Sequence, residues 1–246
     1  MRTGVPIPLV GLPRFLDETL DAILAQEPDL VVVVDDGSFD PVHNDRVRVV
    51  RRDTTGGPAA ARATGAAALG DVDVIALCDA DDTWEPGSLA ALVAGLRDEP
   101  RAAAAFGRAT VVGIDGRPTE ERWREPAAGL HEPAEFYAHN PIPTSCSAIR
   151  RTALEEAGGF AAPGLVAEDW DLWLRLHGPL LCVPEARVRY RRSPAGLTAD
   201  VERLARAQLA LHERHAHLVD RDTARAARAA DRRALTRARV RRLVRA

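Results

Sequence analysis

Two short apolar runs, Leu30 to Val34 and Val74 to Cys78, each end abruptly in carboxylates. Asp35-Asp36-Gly37-Ser38 follows the first and Asp79-Ala80-Asp81-Asp82 follows the second. Continuous apolar runs of this length, bounded by turn residues, read as strands buried on both faces. Between and around them lie helical patterns: apolar spacing at Leu16, Leu20, Ile23 and Leu24, and an Ala-rich stretch from Gly57 to Leu69. Strands alternating with helices predict an α/β fold, a mostly parallel sheet with helices on its faces. Ligands of such sheets bind outside the carboxyl ends of the strands, and both acidic clusters fall there.

Residues i and i+2 of an extended chain point to the same side, so Asp79 and Asp81 aim at one point. Like charges that close repel unless a cation or a proton separates them. An all-oxygen donor set suits Mg or Mn shared with substrate phosphates. A plainer reading stands beside each cluster. Asp and Gly favour turns, so Asp35 to Ser38 alone predicts only a strand-to-turn transition. Three carboxylates after a buried strand are harder to dismiss, since they need a cation, a cap or open water.

The remaining pattern fills in the fold. Val5 to Val10 and Val47 to Val50 read as further strands, and Pro86 as the first turn of a helix continuing through Leu89 to Leu96. Ala103 to Ile114 reads as strand or hairpin turning at Asp115-Gly116, and Pro126 to Pro143 as loop with a short helix. Cys146 to Ile149 predicts a strand and Thr152 to Gly158 a helix. A helix over Glu168 to Leu176 starts acidic, which suits its positive dipole end, and Trp170 and Trp173 on it read as core. Leu181 to Val183 and Val188 to Arg191 read as two short strands, with helix from Ala199 onward.

Composition excludes several chemistries. The 246 residues suffice for one large domain plus an extension. There is no lysine, so neither a Walker A loop nor a pyridoxal-phosphate Schiff base is available. Cys78, Cys146 and Cys182 form no C-x-x-C pair, which argues against a disulfide framework or zinc site. A formal charge of -3 gives no reason to expect nucleic acid. That balance hides an asymmetry: residues 221–246 hold ten Arg against two Asp, a net +8, leaving -11 for the rest. The tail reads as a solvated helix, or more sharply as a peripheral contact with anionic lipid. His212, His215 and His217 also read as a solvated helix, because His215 and His217 do not share a face. No signal-peptide pattern or membrane span is visible, so the cytoplasm is expected, at the inner face of the membrane if the tail binds lipid.

Val31 to Ser38, Gly57 to Gly65 with Arg62, Asp79 to Asp82, and Glu168-Asp169-Trp170-Asp171-Leu172-Trp173-Leu174-Arg175 occur in that order. With Arg150-Arg151 to Phe160 and Tyr190-Arg191-Arg192, this set resembles the inverting family 2 glycosyltransferases with a GT-A fold. The resemblance spans residues 5–198 and implies a transferase domain over 1–198, with a nucleotide-sugar half (1–115) and an acceptor half (116–198). A helical, Arg-rich extension occupies 199–246. It further implies a nucleotide-diphosphate sugar as donor, a UDP sugar foremost, and a saccharide, lipid, peptide or small molecule as acceptor. Asp36, with Asp35 beside it, would accept a hydrogen bond from the base, Pro8 and Val10 would line the base pocket, and Arg62 would help hold the nucleoside. Along Asp79-Ala80-Asp81, Asp79 would sit near the ribose or metal, and Asp81 with Asp82 would hold the Mn or Mg that bridges the diphosphate. Asp169 would be the general base, with Arg191 and Arg192 adding positive charge near the phosphates. The stretch Tyr137 to Ser147, with Trp123, would shape the acceptor pocket. Val10, Gly11, Ala63 and Ser193 depart from the residues common in that family, which touches the donor's identity more than the reaction class.

Three other readings compete. Asp79-Ala80-Asp81-Asp82-Thr83 fits the D-x-D-x-T nucleophile motif of haloacid-dehalogenase-like phosphatases, although their usual position of that strand and later Lys are missing. A sugar-nucleotide pyrophosphorylase would need a Gly-rich amino-terminal loop that is also missing. A degenerate transferase that only binds nucleotide fits the four departures.

Overall fold

The computed structural model describes all residues except 12, 13, 161–165, 194–199 and 246. Its centre is a run of strands covered on both faces: β1 (Thr3–Leu9), β2 (Leu30–Asp35), β3 (Arg48–Arg51) and β4 (Val74–Leu77). Val5, Ile7, Val33, Val34, Val74 and Ile75 are wholly buried, as continuous apolar strands between two helical layers should be. β3, β2, β1 and β4 lie side by side and parallel. Leu9 pairs with Asp35 and Asp35 with Arg51, so the strands end together and present one acidic rim.

Beyond β4 the sheet is mixed rather than mostly parallel. The strands there are β5 (Thr83–Trp84), β6 (Ala104–Val112), β7 (Gly129–His131), β8 (Ser147–Arg150) and β9 (Leu180–Arg191). β8 runs antiparallel to β4 and β6, β9 runs parallel to β6, and β5 and β7 pair antiparallel with β9. β9 is one strand of 12 residues where the sequence pattern gave two short ones. The interruption around Pro184 is absorbed by a register shift against β6 between Phe106 and Arg108. Gly107 permits it, since a Cβ there would lie 2.2 Å from the Ala186 carbonyl oxygen.

Helices α1 (Leu16–Leu24) and α3 (Ser88–Asp98) cover one face, packing Leu20, Ile23, Leu92 and Leu96 on Val5, Ile7, Val33 and Val74. α2 (Pro58–Ala68), α4 (Arg151–Glu156) and α5 (Glu168–Arg175) cover the other, with Ala61, Leu154, Leu172 and Trp173 on Val32, Val34 and Ile75. α3 begins at Ser88, so Pro86 precedes it instead of lying in its first turn; Gly87, at φ 84°, caps it.

Two C-terminal helices, α6 (Val201–Arg214) and α7 (Arg221–Arg245), form a hairpin. The boundary expected at 198/199 lies outside the described residues. The hairpin shares an apolar cluster with the rest of the chain, Leu211, Ala224 and Ala227 meeting Tyr137, Trp170 and Leu174. His212 and His215 are buried, contrary to the solvated helix expected of them. Each faces a carboxylate, Asp231 and Asp171 respectively, and a spacing pattern within one helix carries no sign of partners on others.

Asp171 is the most heavily bonded of these carboxylates. Burial works against its charge, but hydrogen bonds from His215, Arg175 and Arg214 outweigh it and hold its pKa far below the usual carboxylate range. A depressed carboxylate stabilises the fold fully above its unfolded pKa of about 3.9 and loses that contribution as the pH falls through the native value. Asp171→Asn is therefore expected to cost on the order of 2 kcal/mol at pH 7 and to flatten the stability loss below about pH 4. Urea unfolding across pH checks both.

Candidate active site

At the ends of β1 and β2 the two carboxylates are engaged inside the chain. Asp35 accepts from the backbone N–H groups of Ser38 (2.9 Å) and Val42 (3.1 Å) and pairs with Arg51. Burial opposes its charge, yet these donors keep its pKa below the ordinary value. Asp36 accepts from the N–H groups of Gly56 (3.0 Å) and Gly57 (2.7 Å) and from Arg52 Nε (2.7 Å). Gly57 can turn its N–H inward because it sits at φ 84°. Asp36 thus fixes the loop that opens α2, and three chain donors already occupy the carboxylate expected to meet a base. Arg51 and Arg52 escaped the sequence reading; their adjacency at the end of a strand beside β2 was the available signal. Pro8 is half-buried opposite Val34, and Val10 is 58% exposed at the rim. Ser38 Oγ accepts from the Gly11 N–H at 2.9 Å, closing this end.

After β4 the acidic cluster splits in two directions. Asp79 pairs through Oδ1 with Arg62 Nη2 at 2.5 Å. The same buried guanidinium reaches Glu168 Oε1 through Nη1 at 2.7 Å. Burial would lower the Arg62 pKa, but Asp79 and Glu168 reverse the effect and raise it. Burial and the neighbouring Asp169 push Glu168 upward. Asp81 is pushed up to about 6 by burial and by Asp79.

Asp82 faces the other way. Its Oδ2 accepts from Ser145 Oγ at 2.5 Å and its Oδ1 from the Arg191 N–H at 2.7 Å. Burial, then Asp81 and Asp79, push its pKa well above the ordinary value. The Asp79-to-Asp82 segment is a turn closed by the Asp82 N–H on the Asp79 carbonyl at 3.2 Å, so the extended-chain alternation expected of Asp79 and Asp81 does not hold there. The expectation that Asp82 holds metal is therefore corrected on geometry: both of its oxygens serve the interior. Ala80 is half-buried between the two outward carboxylates.

Asp169, at the start of α5, accepts through Oδ2 from Asn140 Nδ2 (3.2 Å) and Thr144 Oγ1 (2.5 Å), and through Oδ1 from the Trp170 N–H (2.8 Å). The Tyr137 to Ser147 stretch therefore braces site carboxylates through Asn140, Thr144 and Ser145. Trp123 donates to the Pro141 carbonyl at 2.7 Å, and its ring lies 5.0 Å from that of Tyr190. Arg191 is buried, with Nε on the Asp81 carbonyl (2.9 Å), Nη2 on Glu18 (2.8 Å) and its guanidinium 4.2 Å from the Phe15 ring centre. Arg192 pairs with Glu121 and lies over Tyr190. Both arginines expected beside phosphates are thus committed to contacts within the chain.

The donor set suits a hard divalent ion shared with a ligand. Among the described residues, no other residue hydrogen-bonds Asp79 Oδ2 or the Asp81 carboxylate. No group of three or more His, Cys, Asp or Glu residues there makes a cage by itself. One or two carboxylates completed by phosphate oxygens is the arrangement Mg and Mn accept.

Comparison with known proteins shows the family and the fold. Residues 7–158 match the family described as Glycosyl transferase family 2. Among solved structures, S. aureus TarS 1-349 in complex with UDP-GlcNAc is similar at a TM-score of 0.68 and 16% identity, over 89% of this chain and 69% of that one. GalNAc-T7 with UDP, GalNAc and Mn2+ is similar at 0.62 and 17%, over 83% of this chain and 47% of that one. Nothing among curated proteins matches.

The double grip of Arg62 carries a clear expectation. Arg62→Met leaves two carboxylates beside each other without their shared cation, and breaking a buried pair in this way costs about 3–5 kcal/mol. Adding Glu168→Gln to the same chain should recover part of the loss in urea unfolding.

Proposed function

Since the chain belongs to glycosyl transferase family 2, and is a nucleotide-sugar glycosyltransferase, we propose that it transfers a sugar from a UDP sugar to an acceptor hydroxyl with inversion at the anomeric carbon. The observation that carries this reading is the position of Arg62, whose one guanidinium joins Asp79 at the end of β4 to Glu168 beside Asp169. It supports a donor site and a base lying together, on either side of one reacting carbon. The UDP complex of TarS 1-349 and the UDP and Mn2+ complex of GalNAc-T7 support the same donor class.

In this reading residues 1–115 bind the donor and 116–198 the acceptor. Pro8 and Val10 border the base, and Asp35 and Asp36 act by holding the loops around it. Asp79 and Asp81 would hold Mg or Mn against the diphosphate, where such an ion supplies Lewis-acid stabilisation of the charge on the leaving phosphate. Asp169 takes the proton of the attacking hydroxyl. Asn140 and Thr144 fix its Oδ2, so its orientation is set before substrate arrives. Arg191 stiffens the metal side through the Asp81 carbonyl instead of contacting phosphate. Phosphatase and pyrophosphorylase readings have no support in the family match.

Thermal shifts with UDP, GDP, CDP and dTDP, each with and without Mn, test the donor. UDP with Mn is expected to stabilise most, and Asp81→Asn to erase the Mn-dependent part. Asp169→Asn should keep that shift while lowering turnover by about 10²–10⁴-fold. A folded protein that no nucleoside diphosphate stabilises would sink the proposal, and unchanged turnover in Asp169→Asn would favour a different base.

Among the described residues no helix is long and apolar enough to cross a membrane. The exposed arginines of α7, Arg221, Arg225, Arg232, Arg233, Arg237 and Arg239, extend the proposal to peripheral contact with anionic lipid. Co-sedimentation with phosphatidylserine vesicles at low salt, lost at high salt and absent with phosphatidylcholine, is the expected result. Equal binding to both lipids would remove this part.

A further inference from the structure

We propose that the α6–α7 hairpin is a positioning device for the Asp169 carboxylate, with His212 and His215 as its positioning residues; the inference rests on the reading of Asp169 as the base. Two elements hold Asp169: α5, which it begins, and the 137–147 segment, which supplies Asn140 and Thr144. The hairpin grips both.

On the segment, the Tyr137 hydroxyl donates to the His212 carbonyl at 2.5 Å, and His212 Nε2 donates back to the Tyr137 carbonyl at 2.7 Å. The other ring nitrogen of His212 meets Asp231 Oδ2 of α7 at 2.5 Å. On α5, His215 Nε2 and Arg214 Nη1 donate to Asp171 Oδ1 at 2.9 Å and 2.8 Å. Trp170 completes the frame, donating Nε1 to the Phe136 carbonyl at 2.8 Å with its ring edge-on to His212 at 5.2 Å. Tyr137, Trp170, Asp171, His212, His215 and Asp231 are all buried.

An apolar seam alone would suffice to dock the hairpin, and one is present, Leu211, Ala224 and Ala227 with Leu218 and Val219 packing toward Tyr137, Trp170 and Leu174. Buried polar groups add directional bonds that fail together when an element slides, because each unmet partner is costly in a dry site. The network therefore fixes register, and register is what a base needs: a misplacement of about 1 Å can cost 10²-fold in rate. The hairpin, like α5, lies beyond residues 7–158, which match the family.

The test uses the full chain with Mn and UDP-GlcNAc as probe, following UDP release to water. Asp231→Asn, His212→Gln and His215→Gln are each expected to lower kcat by about 10–100-fold with the donor KM within about twofold, and to lower it no further on an Asp169→Asn background. Amide exchange in Asp231→Asn should speed up over 137–147 and 168–175 and stay unchanged over 30–36 and 74–82. Tyr137→Phe, which removes one hydrogen bond, carries the same tests if Asp231→Asn does not fold. Wild-type kcat in the folded variants overturns the proposal, as does a loss that persists in full beside Asp169→Asn. If Asp169→Asn itself leaves UDP release unchanged, or the wild type releases none, the reading of the base or donor fails instead. The exchange experiment then decides, and unchanged protection over 168–175 overturns the hairpin's role.

Discussion

One guanidinium organises the site. Arg62 is buried on α2 and touches Asp79 on one side and Glu168 on the other. Without it, Asp79, Asp81, Glu168 and Asp169 would crowd four carboxylates into a partly dry space, and mutual repulsion would force protons onto them or push their elements apart. An arginine suits the task because its planar fork reaches two carboxylates at once and stays charged at any working pH. The helix that carries it is in turn anchored at its start by Asp36, which accepts from Gly56, Gly57 and Arg52. The acidic motif that ends β2 thus supports, through α2 and Arg62, the one that follows β4.

Much of this was legible in the residues alone. Buried parallel strands such as Leu30–Asp35 and Val74–Leu77 announce themselves by unbroken apolar composition, and the acidic rim follows from where those strands stop. The helices around Leu16 and Glu168 were legible from apolar spacing and an acidic start. What stayed hidden depends on contacts between distant segments. Nothing local marks Asp82 as an interior residue; its direction is set by Ser145 and Arg191, 63 and 109 positions away. The burial of His212 and His215 depends in the same way on Asp231, Asp171 and Tyr137. Continuous β9 escaped because Pro184 reads as an interruption, and only the glycine opposite it, Gly107, lets the ladder resume.

The absence of lysine shapes the electrostatics throughout. Each buried cation of the site, Arg62 and Arg191, is bound at several points, and the Arg191 guanidinium also sits over the Phe15 ring. Such contacts need a planar head group, and an ammonium placed there would satisfy only part of them. The permanent positive charges are consequently rigid parts of the frame, while the outward oxygens of Asp79 and Asp81 stay clear of them.

β9 runs on from α5 through four connecting residues, 176–179, and at its far end offers the Arg191 N–H to Asp82. Asp82 stands three residues from Asp79, Asp79 is bound to Arg62, and Arg62 returns to Glu168 at the head of α5. These links close on themselves, so the site carboxylates sit on a hoop with no loose end. A hoop resists shear at any one point by loading all the others, which adds to the hold of the packed core on the sheet beneath it.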